Sequence, residues 1–183
     1  MREKTLRSRT VYKGRLLGVE VVDVELEPGR RSVREIVRHP GAAVVLARRQ
    51  DGRFVFVRQF RKAAEMNLLE VVAGGLGEGE RPYDCAKREL KEETGYEASK
   101  LVTLGRVYPA PGYTDEVMHL YYATLKDSKG AGEPDDDERL KVVYLTEKQV
   151  DRMIGNGRIH DAKTLSAWLL WKARIRKPGS VKA

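Results

Sequence analysis

Between residues 22 and 27 apolar and acidic side chains alternate, Val22, Val24 and Leu26 against Asp23, Glu25 and Glu27, the period-two pattern of a strand with one buried face. Pro28-Gly29 supplies a turn that ends it. Apolar, β-branched runs follow at 33–37, 42–47 and 54–60, with Asp51-Gly52 marking a hairpin turn between the last two. The first roughly 40 residues therefore read as a small strand layer. A second series of strands is expected at 68–72, 101–108, 119–125 and 142–145. Thr146 and Gln149 have capping-box spacing ahead of Val150, Met153 and Ile154, and Gly155 is expected to stop that helix. Asp161 is a candidate N-cap for a last helix that carries Leu165, Trp168, Leu169 and Ile175 on one apolar side and ends before Pro178. These side chains read as core, and the Gly-, Ser- and Asp-rich segment 127–137 reads as a mobile acidic loop.

A third helix is bounded by its own punctuation. Pro82 suits a first helical turn and Gly95 a C-terminal stop, and four glycines among residues 74–79 let backbone approach a ligand closely. At about 100° per residue, Glu89, Glu92 and Glu93 share one arc, beside an apolar arc of Ala86, Leu90 and Tyr83; Lys87, Lys91 and Asp84 take the solvated side. Carboxylates at these spacings bring their Cβ atoms to about 5–6 Å and repel one another. Arg88 can offset part of that charge, and hard divalent ions, which Mg²⁺ exemplifies, can offset the rest.

Composition narrows the setting. With 183 residues, 41% hydrophobic and 34% charged, the chain has the make-up of a soluble globular domain. No apolar run approaches the roughly 18 residues of a membrane span, and MREKTLRSRT does not resemble a secretory signal, so no membrane association is expected. Cys85 is the single cysteine, which rules out an intrachain disulfide and fits a cytoplasmic protein. It reads as inert packing, and His39, before Pro40-Gly41, reads as a turn residue. A net charge of +8 raises polyanion binding, but the basic residues are spread along the chain, so steering of anionic substrates is expected and nucleic-acid recognition is not.

The spacing from Gly74 to Tyr96 is more specific than any of this. It runs Gly74, five residues, Glu80, seven residues, Arg88-Glu89-Leu90, one residue, Glu92-Glu93, one residue, Gly95, Tyr96, and it resembles the signature of the Nudix hydrolase family. Seven fixed identities at roughly a tenth each arise by chance at about 10⁻⁷ per window. Outside that box, RQFRKA from Arg58, LEVVAGG from Leu69, IHDAKTLSAWLL from Ile159 and the proline of PAPGYTDE resemble the family's ADP-ribose pyrophosphatase branch, whose marker position is occupied by Pro111. One departure is visible, since Glu70-Val71-Val72-Ala73-Gly74 lacks the proline that the branch commonly has before Ala-Gly.

The resemblance implies an α/β fold, an α/β/α sandwich around a mixed sheet with a small N-terminal β-strand layer. Residues 1–40 are then the layer that serves dimerisation and contributes to the substrate site, and residues 41–183 the catalytic domain. It implies hydrolysis of ADP-ribose, or a related nucleoside diphosphate sugar, to AMP and ribose 5-phosphate with Mg²⁺, Mn²⁺ being an alternative. Its metal-binding positions fall on Glu89, Glu93 and the main-chain carbonyl of Ala73, with Glu92 assisting and Glu80 and Arg88 orienting the loop and helix. The catalytic base it points to is Glu138, with Glu116 as the competing choice. Arg61 and Arg58 are candidates for the diphosphate, Glu70 for a metal or the terminal ribose, and Tyr12, Arg34 and Arg38 for adenine. In this branch the N-terminal strands exchange between subunits, which implies a homodimer. A Nudix hydrolase of another nucleotide is the main rival, and a nucleotide-sensing or nucleic-acid-binding protein on the same fold a more distant one.

Overall fold

Antiparallel pairing organises the N-terminal segment. In the computed structural model, which describes residues 2–27, 29–130 and 140–174, β1 (Lys4–Lys13), β2 (Gly18–Leu26) and β3 (Arg30–Arg38) form a three-stranded sheet in that order. Val22 and Val24 are buried, as the alternation in β2 requires. The sequence pattern did not mark β1, and the reason is physical: all ten of its residues are exposed, so no burial selects an alternation. This sheet and residues 108–117 make one compact unit, Met1–Gly41 with Tyr108–Val117, and Ala42–Val107 with Met118–Ala183 make the other. Within the first unit, Val37 N–H donates to the Tyr113 carbonyl at 2.7 Å and the Asp115 N–H to the Val37 carbonyl at 3.2 Å, which fastens the 108–117 segment along β3.

The second unit is built on β4 (Ala42–Arg48), β5 (Phe54–Arg61), β6 (Met66–Glu70), β7 (Val72–Gly75), β8 (Tyr96–Val107), β9 (Met118–Lys129) and β10 (Leu140–Leu145), with α1 (Pro82–Thr94), α2 (Glu147–Gly155) and α3 (Ala162–Arg174). Its seven-stranded sheet runs β10-β5-β4-β9-β8, with β6 on β5 and β7 on β4. The sheet is mixed, because β4 and β9 are parallel while β8 and β9 are antiparallel. Adjacent residues of β4 and β5 enter opposite cores. Val44, Leu46, Phe54 and Phe56 pack with Val150 of α2 and Ala167, Trp168 and Trp171 of α3. Ala43, Val45, Val55 and Val57 pack with Cys85, Ala86 and Leu90 of α1. Helices on both faces make the expected α/β/α arrangement, and a strand buried on both faces reads as the continuous apolar run seen at 42–47. Burying Leu90 fully contributes roughly 1.5–3 kcal/mol.

Three expectations need correction. The single strand anticipated at 68–72 is two strands. β4 and β5 pair only at Ala47↔Val55 and Arg48↔Phe54 before diverging, and the chain switches from β5 to β4 between β6 and β7. At the switch the Val71 N–H donates to Thr164 Oγ1 at 3.0 Å. Leu169 is 67% exposed and does not line the core, and Tyr83, 45% exposed, meets it only at the margin, its ring edge-on to Tyr121 at 6.1 Å. On α3 the buried stripe is Thr164, Ala167, Trp168 and Trp171, at i, i+3, i+4 and i+7, and Leu169 lies one 100° step beyond it. β9 continues through Asp127 to Lys129, so the acidic stretch begins in a strand. Residues 131–139, with Glu138, and Ile175 lie outside the described residues.

The helix ends follow their sequence signals closely. Thr146 Oγ1 accepts from Gln149 N–H and Gln149 Oε1 from Thr146 N–H, completing the capping box. The helix runs through Gly155, and Asn156 with Gly157, at φ 75°, makes the turn. Asp161 caps α3, accepting from Thr164 N–H at 3.0 Å. Gly95, at φ 73°, ends α1 in the left-handed region where a Cβ is unfavourable.

Candidate active site

β7 and α1 approach each other at one glycine. A Cβ placed on Gly74 would lie 1.9 Å from the Glu89 carboxyl carbon, so the Glu89 carboxylate occupies the space that any other residue would fill. Arg88 binds the surrounding acids. Its Nε and Nη2 donate to the two oxygens of Glu80, each at 2.9 Å, while Nη1 donates to Glu89 at 2.6 Å and Glu92 at 2.9 Å. Nη2 also reaches the Gly75 carbonyl at 3.3 Å. The same Glu80 carboxylate accepts the Gly77 N–H at 2.9 Å, which locks the glycine loop onto the helix. Glu93, one turn along, is 5% exposed.

These contacts set the ionisation of the site. The Arg88 guanidinium, followed by the Gly77 N–H, holds the Glu80 carboxyl down to about 2. Hydrogen bonding to Glu80 raises Arg88 above its ordinary value. Burial, with Glu80 and Glu89 nearby, pushes the Cys85 thiol up to about 12, which agrees with inert packing. Because the Glu80 value is depressed on folding, its stabilising contribution is complete above the usual carboxylate range and is lost as pH falls towards 2. Glu80→Gln should therefore melt at a lower temperature than the parent at neutral pH, and the difference should narrow in melts taken between pH 4.5 and 2.

A second charged group lies where β6 gives way to β7. Glu70, 1% exposed, accepts from Arg61 Nε at 2.9 Å and Nη2 at 2.6 Å, and from Lys163 Nζ at 2.5 Å. Burial pushes the Glu70 carboxyl up, but Arg61 and Lys163 together outweigh it and leave it below the usual range. Arg61 is thus held by Glu70, and the coulombic influence of Glu93 reaches it. Arg58 is exposed on β5, paired in the ladder with Leu69 and Lys141. Ala73 lies in β7 opposite Val44.

The remaining candidates belong to the first unit. Arg34, Arg38 and Pro111 line one cleft of about 500 Å³ together with Glu3, Ile36, Tyr108, Tyr113 and Asp115. Arg34 is bidentate to Glu3, at 3.0 and 2.5 Å, and Arg38 bridges Glu20 at 2.8 Å and Asp115 at 3.0 Å. Tyr12 does not line the cleft, and its ring lies over Gly14 instead. The exposed aromatics there are Tyr108 and Tyr113, which no spacing or motif singles out. Glu116 sits with an oxygen 3.8 Å from His39 Nδ1, which accepts the Gly41 N–H at 3.0 Å as a turn residue does. Lys163, in the IHDAKT stretch, reaches Glu70 only through the fold, and no local spacing points to that contact.

The loop, the helix and its three glutamates lie wholly inside a segment, residues 37–168, that matches the NUDIX domain model. The chain belongs to the Nudix family. It is 40% identical over 168 residues to the ADP-ribose pyrophosphatase of Bacillus subtilis (strain 168), covering 91% of each chain. It is 42% identical over 166 residues to the methanol dehydrogenase activator of Bacillus methanolicus, covering 90% of each. Among solved structures, an ADP compounds hydrolase superposes with a TM-score of 0.84 at 28% identity, covering 99% of this chain and 98% of that one.

Nudix hydrolases generally use a divalent metal, and the box can be tested for it on its own chemistry. Its donors are carboxylate and carbonyl oxygens, the ligand type that hard divalent ions take, and the glycine cradle brings the Glu89 carboxylate against the backbone beside Ala73. Among the described residues no three acidic, histidine or cysteine side chains converge as a ready-made cage. Arg88 Nη1 bonds both Glu89 and Glu92 and supplies positive charge there. In donor type the residues of the box fit a hard divalent cation. Among the described residues no helix is long and apolar enough to cross a membrane.

Proposed function

We propose that this Nudix hydrolase cleaves the pyrophosphate of ADP-ribose, or a closely related nucleoside diphosphate sugar, to AMP and ribose 5-phosphate with Mg²⁺, Mn²⁺ being an alternative. The observation that carries the reading is the Glu89 carboxylate seated in the Gly74 cradle, with Arg88 holding Glu80, Glu89 and Glu92 together. The overall likeness to an ADP-ribose pyrophosphatase directs it to that substrate.

Glu89, Glu93 and the Ala73 carbonyl are the groups that would hold the metal, with Glu92 assisting. Bound there, a divalent ion would lower the pKa of water and neutralise charge on the phosphoryl oxygens. The protein's own part is to position and to move protons. Arg61 and Arg58 donate charge-assisted hydrogen bonds to diphosphate oxygens. A glutamate base takes a proton from the attacking water as its oxygen bonds to phosphorus, and the bridging oxygen leaves with its electron pair. Glu138 is assigned as that base, with Glu116 in the 108–117 segment as the competitor. The cleft of Arg34, Arg38 and Pro111 is assigned to adenine. Both arginines are already matched by carboxylates, so what they present is a planar face rather than surplus charge.

The assembly assigned to this chain is a cytoplasmic homodimer that exchanges its N-terminal strands. β1 supports it, being an edge strand whose ten residues are all exposed, with Val11 at 54% and Tyr12 at 56%.

A nucleotide panel in ¹⁸O-labelled water, run with Mg²⁺ and with a chelator, tests the reading. ADP-ribose should release AMP with Mg²⁺ and none with the chelator, and either Glu138→Gln or Glu116→Gln should slow turnover without weakening metal binding. Turnover that survives chelation removes the metal, and efficient cleavage of another nucleotide with ADP-ribose untouched removes the substrate.

A further inference from the structure

Four charged side chains of the second unit form an alternating chain, Arg61, Glu70, Lys163 and Asp161. Lys163 Nζ lies 2.5 Å from Glu70 and 3.0 Å from Asp161, with 11% of its side chain exposed. Glu70 and Lys163 are 93 positions apart in sequence, so α3 brings to the β6 end a cation that no local motif supplies. Asp161 is engaged on its other side, because Oδ2 accepts both the Thr164 N–H at 3.0 Å and the Thr164 hydroxyl at 2.6 Å at the start of α3. The positive end of the helix offsets part of the Asp161 charge. The two acids and two bases balance, and the positive charge most accessible from outside is that of Arg61, with 37% of its side chain exposed.

Arg61 bonds to Glu70 through Nε and Nη2, and the Nη1 hydrogens take no part in those two bonds. A guanidinium fixed by two parallel bonds presents its remaining donors in one direction. Glu70 can fix Arg61 in this way only while its own carboxylate is held, and Lys163 holds the oxygen that Arg61 Nη2 also uses. Without Lys163 the buried part of the chain would carry two acids against one base. The excess negative charge would lie beside Arg61, where it opposes an anionic ligand.

We propose that Lys163 is a positioning residue for substrate binding, acting through Glu70 to aim Arg61 and to offset the negative charge beside it that would oppose the diphosphate. This rests on the hydrolase reading above. Thr164, next in sequence, binds the Val71 N–H at the strand switch, so one turn of α3 secures both the backbone and the charge of this corner.

The test is steady-state kinetics on full-length Lys163→Met with ADP-ribose and Mg²⁺. KM should rise about tenfold, equivalent to 1.4 kcal/mol of binding, while kcat stays within about threefold. Lys163→Arg, which keeps the charge, should return KM to within about threefold of the parent. Combining Lys163→Met with Arg61→Ala should raise KM little beyond Arg61→Ala alone, as expected when one residue acts through the other. A parent-like KM with only a lowered melting temperature, or additive effects in the double variant, overturns the proposal. Should Lys163→Met fail to fold, Lys163→Gln, which keeps a donor but no charge, carries the same comparison. A parent protein that cleaves no nucleotide sinks the hydrolase reading and this one with it, whereas an active parent with an unaffected Lys163→Met sinks this one alone.

Discussion

Glu93→Gln should lose about 10³-fold or more in kcat, because a group poised against charge that develops in the transition state is worth that much. Its melting temperature should stay within about 4 °C of the parent, the shift that 1 kcal/mol produces at this size. The asymmetry comes from where Glu93 lies. It is 5% exposed on the inner side of α1, and its charge is felt at Arg61. Glutamine has nearly the same volume and keeps the packing, while a carboxylate buried at that depth contributes little net stability once its desolvation is counted. Hydrolysis assays and calorimetry on the same preparation separate the two quantities. Turnover within tenfold of the parent would remove Glu93 from the chemistry.

The second large effect is steric, and it has an internal control one residue away. Gly74→Ala puts a methyl group 1.9 Å from the Glu89 carboxyl carbon and 2.0 Å from Oε1, closer than any real contact. The obstructed atoms are the end of a flexible side chain, so Glu89 can swing aside and the fold should survive. Displacing a reacting group by about 1 Å costs about 10²-fold in rate, and kcat should fall by that order with little change in melting. Gly75→Ala, whose Cβ would meet nothing within 4 Å, should retain at least about a third of parental activity, since exposed substitutions free of such contacts change little. Equal losses at the two positions would show that β7 tolerates no side chain at all, and would leave the Gly74 cradle without a special role.

The two glycines also show how far the sequence could be read. Their spacing to Glu80, Arg88 and the glutamates placed the box on a loop and helix, and Pro82 and Gly95 gave the helix its ends. Which of the two lies under Glu89 depends on how β7 and α1 cross, and spacing carries no such information. Tyr83 and Leu169 make the same point for packing. Each lies near the edge of an apolar arc, and the exposed side of the boundary was decided by what the opposing element offered. β1 left no mark because a strand with every residue exposed has no face to encode.

By itself the sequence determined the elements with local causes. Capping residues satisfy backbone groups within one turn, alternation records a buried face, and the box spacing places its acids on one helix, all through interactions a few residues long. Tertiary structure decided the partners: Lys163 for Glu70 across 93 positions, Thr164 for the Val71 N–H, and the carboxylates that hold Arg34 and Arg38. The physical reason is range. Charges and donors pair with whatever folding brings within about 3 Å, and that meeting is a property of the assembled sheet and its helices.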